Sequence, residues 1–285
     1  MSRVADLPAM AKRWTTALEA WAIPKRILDA ATRDPWLLPV ARFGGRADRA
    51  VSDPCGVSFE RAAEVLRDSP GTVIDVGAGA GAASLPLAPW ATSLTALDGN
   101  AAMLAAFAER AARLGIEHHE VLGTWPELAT EIAMHDVAVV HHVVYNVAAI
   151  VPFVRALDER TTRRVVLELP PHHPLTWMNP LWKQFHDLDR PVSPIASDLV
   201  EILGAMGVAD LRAEHWTTLG LAAADGSDSE SLAERAALVT QRLCLRVERE
   251  PEVAAAMAET DPGYHRDIVT ISWTPGSTPR NDTHR

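Results

Sequence analysis

The run Val73-Ile74-Asp75-Val76-Gly77-Ala78-Gly79-Ala80-Gly81 sets three glycines at alternate positions directly after a short apolar segment. Glycine there permits a tight turn and lets a ligand approach the backbone with no Cβ in the way. A helix expected to follow, from Ala83 to about Trp90, would offer free N–H groups to a phosphate or carboxylate. Asp98 ends the next apolar run, 21 residues beyond Gly77, where a carboxylate can accept both hydroxyls of a ribose. Taken bare, these residues leave two readings open, because Gly77, Gly79 and Ala82 also satisfy the dinucleotide fingerprint G-x-G-x-x-G/A. Asp75, two residues before Gly77 where dinucleotide folds place an apolar residue, points away from a dinucleotide, and so does the third glycine, Gly81.

Two histidine pairs form a second group. His141-His142 ends the fourth apolar run and leads into Val143-Val144-Tyr145-Asn146, and His172-His173 sits between prolines after the fifth. Both belong on the carboxyl edge of a parallel sheet, where open α/β folds bind ligands. Imidazole titrates near neutral pH, which makes His142 the first candidate for a general base, with Tyr145 and His172 next. Glu168 and His186 lie near the second pair in sequence, but no spacing matches a zinc or 2-His-carboxylate pattern, and no metal is expected.

The elements that position these residues begin at Gly71. Short apolar stretches at Val73–Val76, Ser93–Asp98, Glu117–Leu122, Asp136–Val140 and Arg164–Leu169 read as buried parallel strands. Helices are expected between them at Ala83–Trp90, Ala101–Leu114, Glu127–Ala133 and Val151–Leu157. Such alternation implies a parallel sheet with right-handed crossovers. Further on, Asn179 reads as the cap of a helix with Pro180 at its first position, and a helix over Asp198–Met206 has Glu201 three residues after Asp198. Leu211–Thr217 and Ile268–Trp273 read as strands on either side of helical material over Glu230–Glu259. The organisation expected is an N-terminal helical extension or lid over 1–68 and a main domain over 69–275. That domain carries a lid insertion at 170–197 and a helical insertion at 225–262, and a polar, disordered tail follows over 276–285. In the extension, Trp14, Leu18 and Trp21 share one helix face that Pro24 ends, a second short helix runs through Ile27 and Leu28, and a third spans Phe59–Arg67. Trp14, Trp21 and Trp36 lie among Lys12, Arg13, Lys25 and Arg26, which suits capping an apolar or anionic molecule as well as plain packing. On the capping reading, removing residues 1–40 leaves cofactor binding in place.

The chain of 285 residues is 48% hydrophobic and 22% charged, the balance of a globular protein with a sizeable core. Its net charge of −10 opposes docking on a phosphate backbone, although the first fifty residues hold nine basic and five acidic side chains. Two cysteines make neither a disulfide framework nor a metal cluster by count. No secretory leader is expected, and Val137–Val154 is too interrupted by His141, His142, Tyr145 and Asn146 to span a membrane. A cytoplasmic protein without a membrane or nucleic-acid partner is the expectation.

The Asp-x-Gly-x-Gly-x-Gly spacing, with Asp98 and the strand–helix alternation, resembles the class I (Rossmann-like) S-adenosylmethionine-dependent methyltransferases of small-molecule type. The resemblance covers about 71–170 and extends to Trp273. It implies a seven-stranded, mostly parallel, doubly wound α/β sheet with S-adenosylmethionine as cofactor. Asp75, Gly77, Ala78, Gly79 and Gly81 would hold the methionine part, and Asp98 the ribose, with Gly99, Asn100 and Met103 near the adenine. Where the family often has an acidic residue after the third strand, this chain reads Gly123-Thr124-Trp125, so the Thr124 hydroxyl, backbone groups or stacking on Trp125 would serve the adenine. The turn after the fourth strand would floor the cleft between cofactor and acceptor, with His141 on the cofactor side. An Asn-Pro-Pro-Tyr-like motif of base and glutamine methylation is missing, so a small organic acceptor is expected. The alternatives are an NAD(P)-dependent oxidoreductase on the same turn and a non-catalytic cofactor-binding protein.

Overall fold

The computed structural model describes residues 6–37, 39–219, 232–260 and 265–276. Seven strands, β1 (Gly71–Val76), β2 (Ala91–Asp98), β3 (Glu117–Leu122), β4 (His135–His141), β5 (Thr161–Leu169), β6 (Arg212–Leu219) and β7 (His265–Trp273), form one sheet. Their order is β3-β2-β1-β4-β5-β7-β6. β1 to β5 pair in parallel, and β7 runs antiparallel to both β5 and β6. The expected mostly parallel, doubly wound sheet is the one that forms.

Alternation along the strands splits the apolar residues between two faces. Ile74 and Val76 of β1 join Ala138 and Val140 of β4 in one core, whereas Val73 joins Val137 and Val139 in the other. The first core is completed by Trp14 of α1 (Leu7–Glu19), by Phe153, Val154 and Leu157 of α6 (Ile150–Arg160) and by Leu199 and Leu203 of α8 (Ala196–Ala205). The second takes Ala47 of α3 (Val40–Ser52), Ala62, Ala63 and Leu66 of α4 (Val57–Asp68), and Leu104 and Phe107 of α5 (Ala101–Leu114). A third core lies off the sheet, where α2 (Lys25–Leu28) and α7 (Asn179–His186) meet α9 (Leu232–Arg242) and α10 (Glu250–Thr260) around Ile27, Trp182, Val239 and Met257. The N-terminal helices are thus layers of the sandwich as well as covers for it.

Several local expectations are corrected. No α-helix follows the glycine turn, and only a 3-10 turn forms, over Leu85–Leu87. Pro89 has no N–H to donate and its ring would clash with the carbonyl of Leu85, so the turn cannot extend into a helix. The segment Glu127–Ala133 likewise forms only a 3-10 turn, Ala129–Glu131, being too short to sustain helical cooperativity. Helix α3 was not expected because Gly44 and Gly45 lower its propensity. It is held by tertiary contacts instead: Asp48 accepts from Arg110 at 2.8 and 3.0 Å, and the Arg110 guanidinium fills the space beside Gly44. Asn179 is the first residue of α7, behind Met178 as cap, and its amide donates to the Pro191 carbonyl at 2.8 Å. At α8 it is Asp198 that accepts the Ile195 N–H, at 2.9 Å, so Glu201 takes no capping part. The tail over 277–285 and the start of the helical insertion at 225–231 lie outside the described residues.

The strand order places β1 centrally, with β2 on one side and β4 on the other. The chain crosses over in opposite directions from β1, and the crevice at such a switch point opens at the carboxyl ends of β1 and β4. The glycine turn after β1 and the His141-His142 pair after β4 meet there.

Candidate active site

The turn after β1 is closed by backbone and side chain together. The Gly77 and Ala78 amides both donate to the Leu97 carbonyl, at 2.8 and 3.0 Å, and the Gly79 amide donates to Asp98 Oδ2 at 2.8 Å. The Gly81 amide donates to the Ala78 carbonyl at 2.9 Å. These amides are therefore engaged within the protein, and the helix-terminus anion site expected at this turn does not form.

The three glycines answer different demands. Gly77, Gly79 and Gly81 all have positive φ, 74°, 53° and 93°. A Cβ on Gly77 would strike Val143, and one on Gly81 would lie 2.6 Å from both Leu85 and Phe107. Only Gly79 would accept a Cβ without a clash, in ordinary contact with Phe43 of α3 at 3.5 Å. Gly79 is thus the point where a ligand can lie against the backbone, and Phe43 is its nearest side-chain wall.

Asp98 is half-buried, and its Oδ1 accepts the Asn100 amide at 2.8 Å while Oδ2 holds Gly79. A carboxylate carries about four lone-pair sites, so each oxygen keeps capacity for a ribose hydroxyl. Asp75 is buried beneath the turn, not presented on it, with Oδ2 accepting the Ser84 hydroxyl at 2.6 Å and Oδ1 without a partner. Burial pushes its carboxyl up to about 7 against the Ser84 hydrogen bond, and the Asp98 charge adds to the rise. Orphaned buried oxygens of this kind call for a ligand or water donor. Gly79 and Asp98 are placed where they could hold the methionine and ribose portions of a bound S-adenosylmethionine, with Asp75 in the layer beneath them.

The adenine side is simpler than the sequence implied. Gly99 is exposed and open, and Thr124 is exposed. The Asn100 side chain is committed to capping α5, where its Oδ1 accepts the Ala102 amide at 2.9 Å, and the Met103 side chain is buried. Trp125 does not offer its ring for stacking: it is buried in the first core and its Nε1 donates to the Phe153 carbonyl at 3.2 Å.

On the β4 side, His142 is the residue that the fold strains. Its φ is 60°, in the left-handed region that a non-glycine residue rarely adopts. The conformation is held by a 2.7 Å bond from its amide to the Glu168 carbonyl, and its Nε2 lies 3.2 Å from Glu168 Oε1. The imidazole is 47% exposed, so one edge rests on the carboxylate and the rest is open. His141 is enclosed, its Nδ1 3.8 Å from the same Glu168 oxygen and its Nε2 buried without a partner. Burial lowers the His141 imidazole, against the pull of Glu168. Burial also drives the Glu168 carboxyl up, but His141, His142 and the Ser58 hydroxyl together outweigh it and hold it near 2. Ser58 is buried at the start of α4, its Oγ 2.7 Å from Thr270 Oγ1 of β7, and Cys55 in the preceding loop is close enough for the Glu168 charge to help raise its thiol after burial.

The other two base candidates lie apart from Glu168, and only Tyr145 has its polar atom committed. Tyr145 is buried, stacked on Trp14, with its hydroxyl donating to the Pro170 carbonyl at 3.0 Å, and burial followed by the Asp198 charge pushes it further from ionisation. His172 is exposed and bridges Ile195 through its backbone. Its neighbour His173 is buried against Trp21, ring centroids 3.8 Å apart, and His186 Nε2 meets the Leu243 carbonyl at 2.6 Å. Among the described residues no group of His, Cys, Asp and Glu side chains is arranged to hold a metal ion. Sequence reasoning overlooked Glu168 as the partner of His142, Ser58 beneath it and Phe43 over the turn. The signal for Glu168 lay in register: with β4 beside β5, His141 pairs directly with Glu168.

Residues 74–163 match a family model described as a methyltransferase domain. No curated protein matches the chain. Among solved structures, the chain is similar to magnesium protoporphyrin IX methyltransferase from Synechocystis PCC 6803 with bound SAH, at 17% identity, TM-score 0.47, covering 94% of this chain and 100% of that one. It is also similar to the YcgJ protein from Bacillus subtilis, at 15% identity, TM-score 0.48, covering 76% and 98%. A third is a protein from Bacillus halodurans C-125, at 14% identity, TM-score 0.47, covering 75% and 98%. No described helix is long and apolar enough to cross a membrane.

Proposed function

We propose that this chain, whose residues 74–163 match a methyltransferase-domain model, is a class I S-adenosylmethionine-dependent methyltransferase that methylates a small organic acceptor whose reacting atom carries a proton at neutral pH. The observation that carries this reading is His142, strained, half-exposed and paired with Glu168, directly before the Val143 that packs on Gly77 of the cofactor turn.

Bound S-adenosylmethionine supplies a methyl already activated on a sulfonium, so the protein's contribution is placement and proton removal. A carboxylate accepts only, so it selects the His142 tautomer that carries its proton on Nε2 and leaves Nδ1 as the open acceptor. Nδ1 takes the acceptor's hydroxyl or ammonium proton, and the Glu168 charge stabilises the imidazolium that forms, the logic by which a buried carboxylate serves a catalytic histidine. Gly79 and Asp98 hold the cofactor's methionine and ribose portions, and Phe43 closes the turn from above.

The test is release of S-adenosylhomocysteine from S-adenosylmethionine across a panel of phenols, alcohols and amines. With an active acceptor, His142→Asn, which tolerates the left-handed backbone, is expected to lose on the order of 10²–10⁴ in kcat. Glu168→Gln should lose activity in the same direction, and cofactor affinity should stay within about twofold of wild type in both, less than the roughly 1.4 kcal/mol of a tenfold change. Full activity in His142→Asn would remove the base from this scheme.

A further inference from the structure

Behind Glu168 a row of polar side chains runs across the sheet. In register, His141 of β4 stands beside Glu168 of β5, Glu168 beside Thr270 of β7, and Thr270 beside Glu214 of β6. Paired positions share a face of the sheet, and α4 packs on this one. Ser58 of α4 places its Oγ 2.7 Å from Thr270 Oγ1 and also bonds Glu168, while Arg61 grips Glu214 through Nε and Nη2, both at 2.6 Å. Trp216 of β6 donates from Nε1 to Thr270 Oγ1 at 2.9 Å, and a Cβ on Gly56, just before α4, would strike the same indole ring.

The hydrogens of this chain can be ordered in one direction. An indole N–H only donates and a carboxylate only accepts. Thr270 Oγ1 therefore accepts from Trp216 and gives its own hydrogen to Ser58 Oγ, and Ser58 gives its hydrogen to Glu168. The Glu168 side chain is mostly buried, and a buried anion needs donors. A base has to be neutral to take a proton, so His142 in that state offers Glu168 its Nε2–H and no charge. His141 adds no hydrogen bond, because burial lowers its imidazole and its Nδ1 stands 3.8 Å from Glu168 Oε1. Cys55, in the loop before α4, keeps a neutral thiol, raised by burial and then by the Asp53 and Glu168 charges. The Ser58 hydroxyl is left as the support of the Glu168 anion from the side away from His142.

We infer that Ser58 and Thr270 are positioning residues for methyl transfer, which hold Glu168 as an ionised acceptor turned towards His142, with the Trp216 N–H setting the direction of the chain. The inference rests on the reading of His142 as the base and extends the site to the antiparallel β7–β6 edge of the sheet. Neither hydroxyl touches a reacting atom; both act through Glu168. A hydroxyl that accepts a hydrogen bond becomes a better donor, so Thr270 strengthens the bond that Ser58 makes.

The test follows the Glu168 side-chain carboxyl by ¹³C NMR in the full chain, assigned with Glu168→Gln, in wild type, Ser58→Ala, Thr270→Val and Thr270→Ser. Each is titrated down to about pH 4, two units above the wild-type carboxyl, with near-UV circular dichroism to confirm that it stays folded. Wild type should keep Glu168 ionised throughout. Ser58→Ala should raise the protonated fraction at the acid end by roughly tenfold or more, one unit of pKa, because a donor to the charged form is lost. Thr270→Val keeps the volume without the hydroxyl and should move the carboxyl the same way by less. Thr270→Ser keeps the hydroxyl without the methyl and should match wild type. A purely packing role would reverse that order, since packing responds to the lost methyl. If Ser58→Ala fails to fold, the Thr270 pair decides. An unmoved Glu168 in Ser58→Ala, or a Thr270→Ser protein that shifts as far as Thr270→Val, would overturn the assignment. Neither acceptor nor cofactor enters the measurement, so its failure is distinct from that of the base reading, which shows as full activity in His142→Asn.

Discussion

Asp98 ties the Gly79 and Asn100 amides together, and on the proposed reading the same carboxylate also takes the ribose. Asp98→Ala is expected to weaken S-adenosylhomocysteine binding by on the order of 1.5–3 kcal/mol, the range for hydrogen bonds to a charged group. Calorimetric titration checks it, and unchanged affinity would assign the carboxylate to the turn alone. His173 gives a pH-dependent expectation. Burial, reinforced by Arg190, lowers its imidazole to about 4, against an unfolded value near 6.5. Above pH 6.5 it is neutral in both states; as pH falls from there towards 4 the unfolded chain takes up a proton that the folded one refuses. Stability is lost over that window, by up to roughly 3 kcal/mol. Asp75, raised to about 7, acts in the opposite sense there, because its folded carboxyl keeps a proton that the unfolded chain releases. Comparing wild type with His173→Phe cancels Asp75. Urea denaturation at pH 7 and pH 4.5 should show the variant gaining on wild type at the lower pH, and parallel curves would refute the assignment.

At the scale of elements, the glycine turn and α3 form one device. Asp48 of α3 clamps Arg110 of α5, and Phe43 is thereby held over Gly79. Gly81 and Gly79 then separate by substitution. Gly81→Ala puts a Cβ against Leu85 and Phe107 at a φ of 93°, and should cost about 1–3 kcal/mol of stability from overpacking alone. Gly79→Ala, at a φ of 53° with its Cβ in ordinary contact with Phe43, should cost about 1–2 kcal/mol from the left-handed backbone and in addition lose cofactor affinity. Thermal melting with and without S-adenosylhomocysteine separates them. A Gly81→Ala protein that melts like wild type would mean that the Leu85 turn yields freely.

For the whole molecule, the N-terminal segment decides whether the chain is a core with a lid or one packed body. Trp14 is 2% exposed in the first core, and its Nε1 donates to the Val147 carbonyl at 2.8 Å. Trp21, Ile23 and Ile27 are buried against residues from 173 to 257. Burying a large apolar side chain contributes about 1.5–3 kcal/mol, so losing four approaches the roughly 5–15 kcal/mol that holds a domain together. Deleting residues 1–40 is therefore expected to abolish cooperative melting and cofactor binding together, contrary to the lid reading of these helices. The full chain with S-adenosylhomocysteine at about a hundred times its dissociation constant should gain roughly 2.7 kcal/mol, and NAD(P) should add nothing. A truncated chain that folds and titrates with cofactor would restore the lid.

What the amino-acid sequence determined by itself is what short-range physics controls. Runs of apolar residues between turn formers set the strands, β3 to the residue, and Asn100 with Gly115 bounded α5 through a side-chain cap and a left-handed stop. Glycine spacing and the distance to Asp98 located the turn after β1, because both lie within one strand–turn–strand unit. The fates of the aromatic and titratable side chains were decided only by tertiary structure. Tyr145, Trp125 and Trp14 look chemically available in sequence, yet each spends its polar atom on a backbone carbonyl 25 to 133 residues away. Conversely, His142 became a site through Glu168, 26 positions further on in the sequence, and Arg242 met Trp36 across more than 200 residues. Strand order and helix docking set those distances, and no local pattern encodes them. That is why the glycine turn and Asp98 were legible in the chain and the pairing of His142 with Glu168 was not.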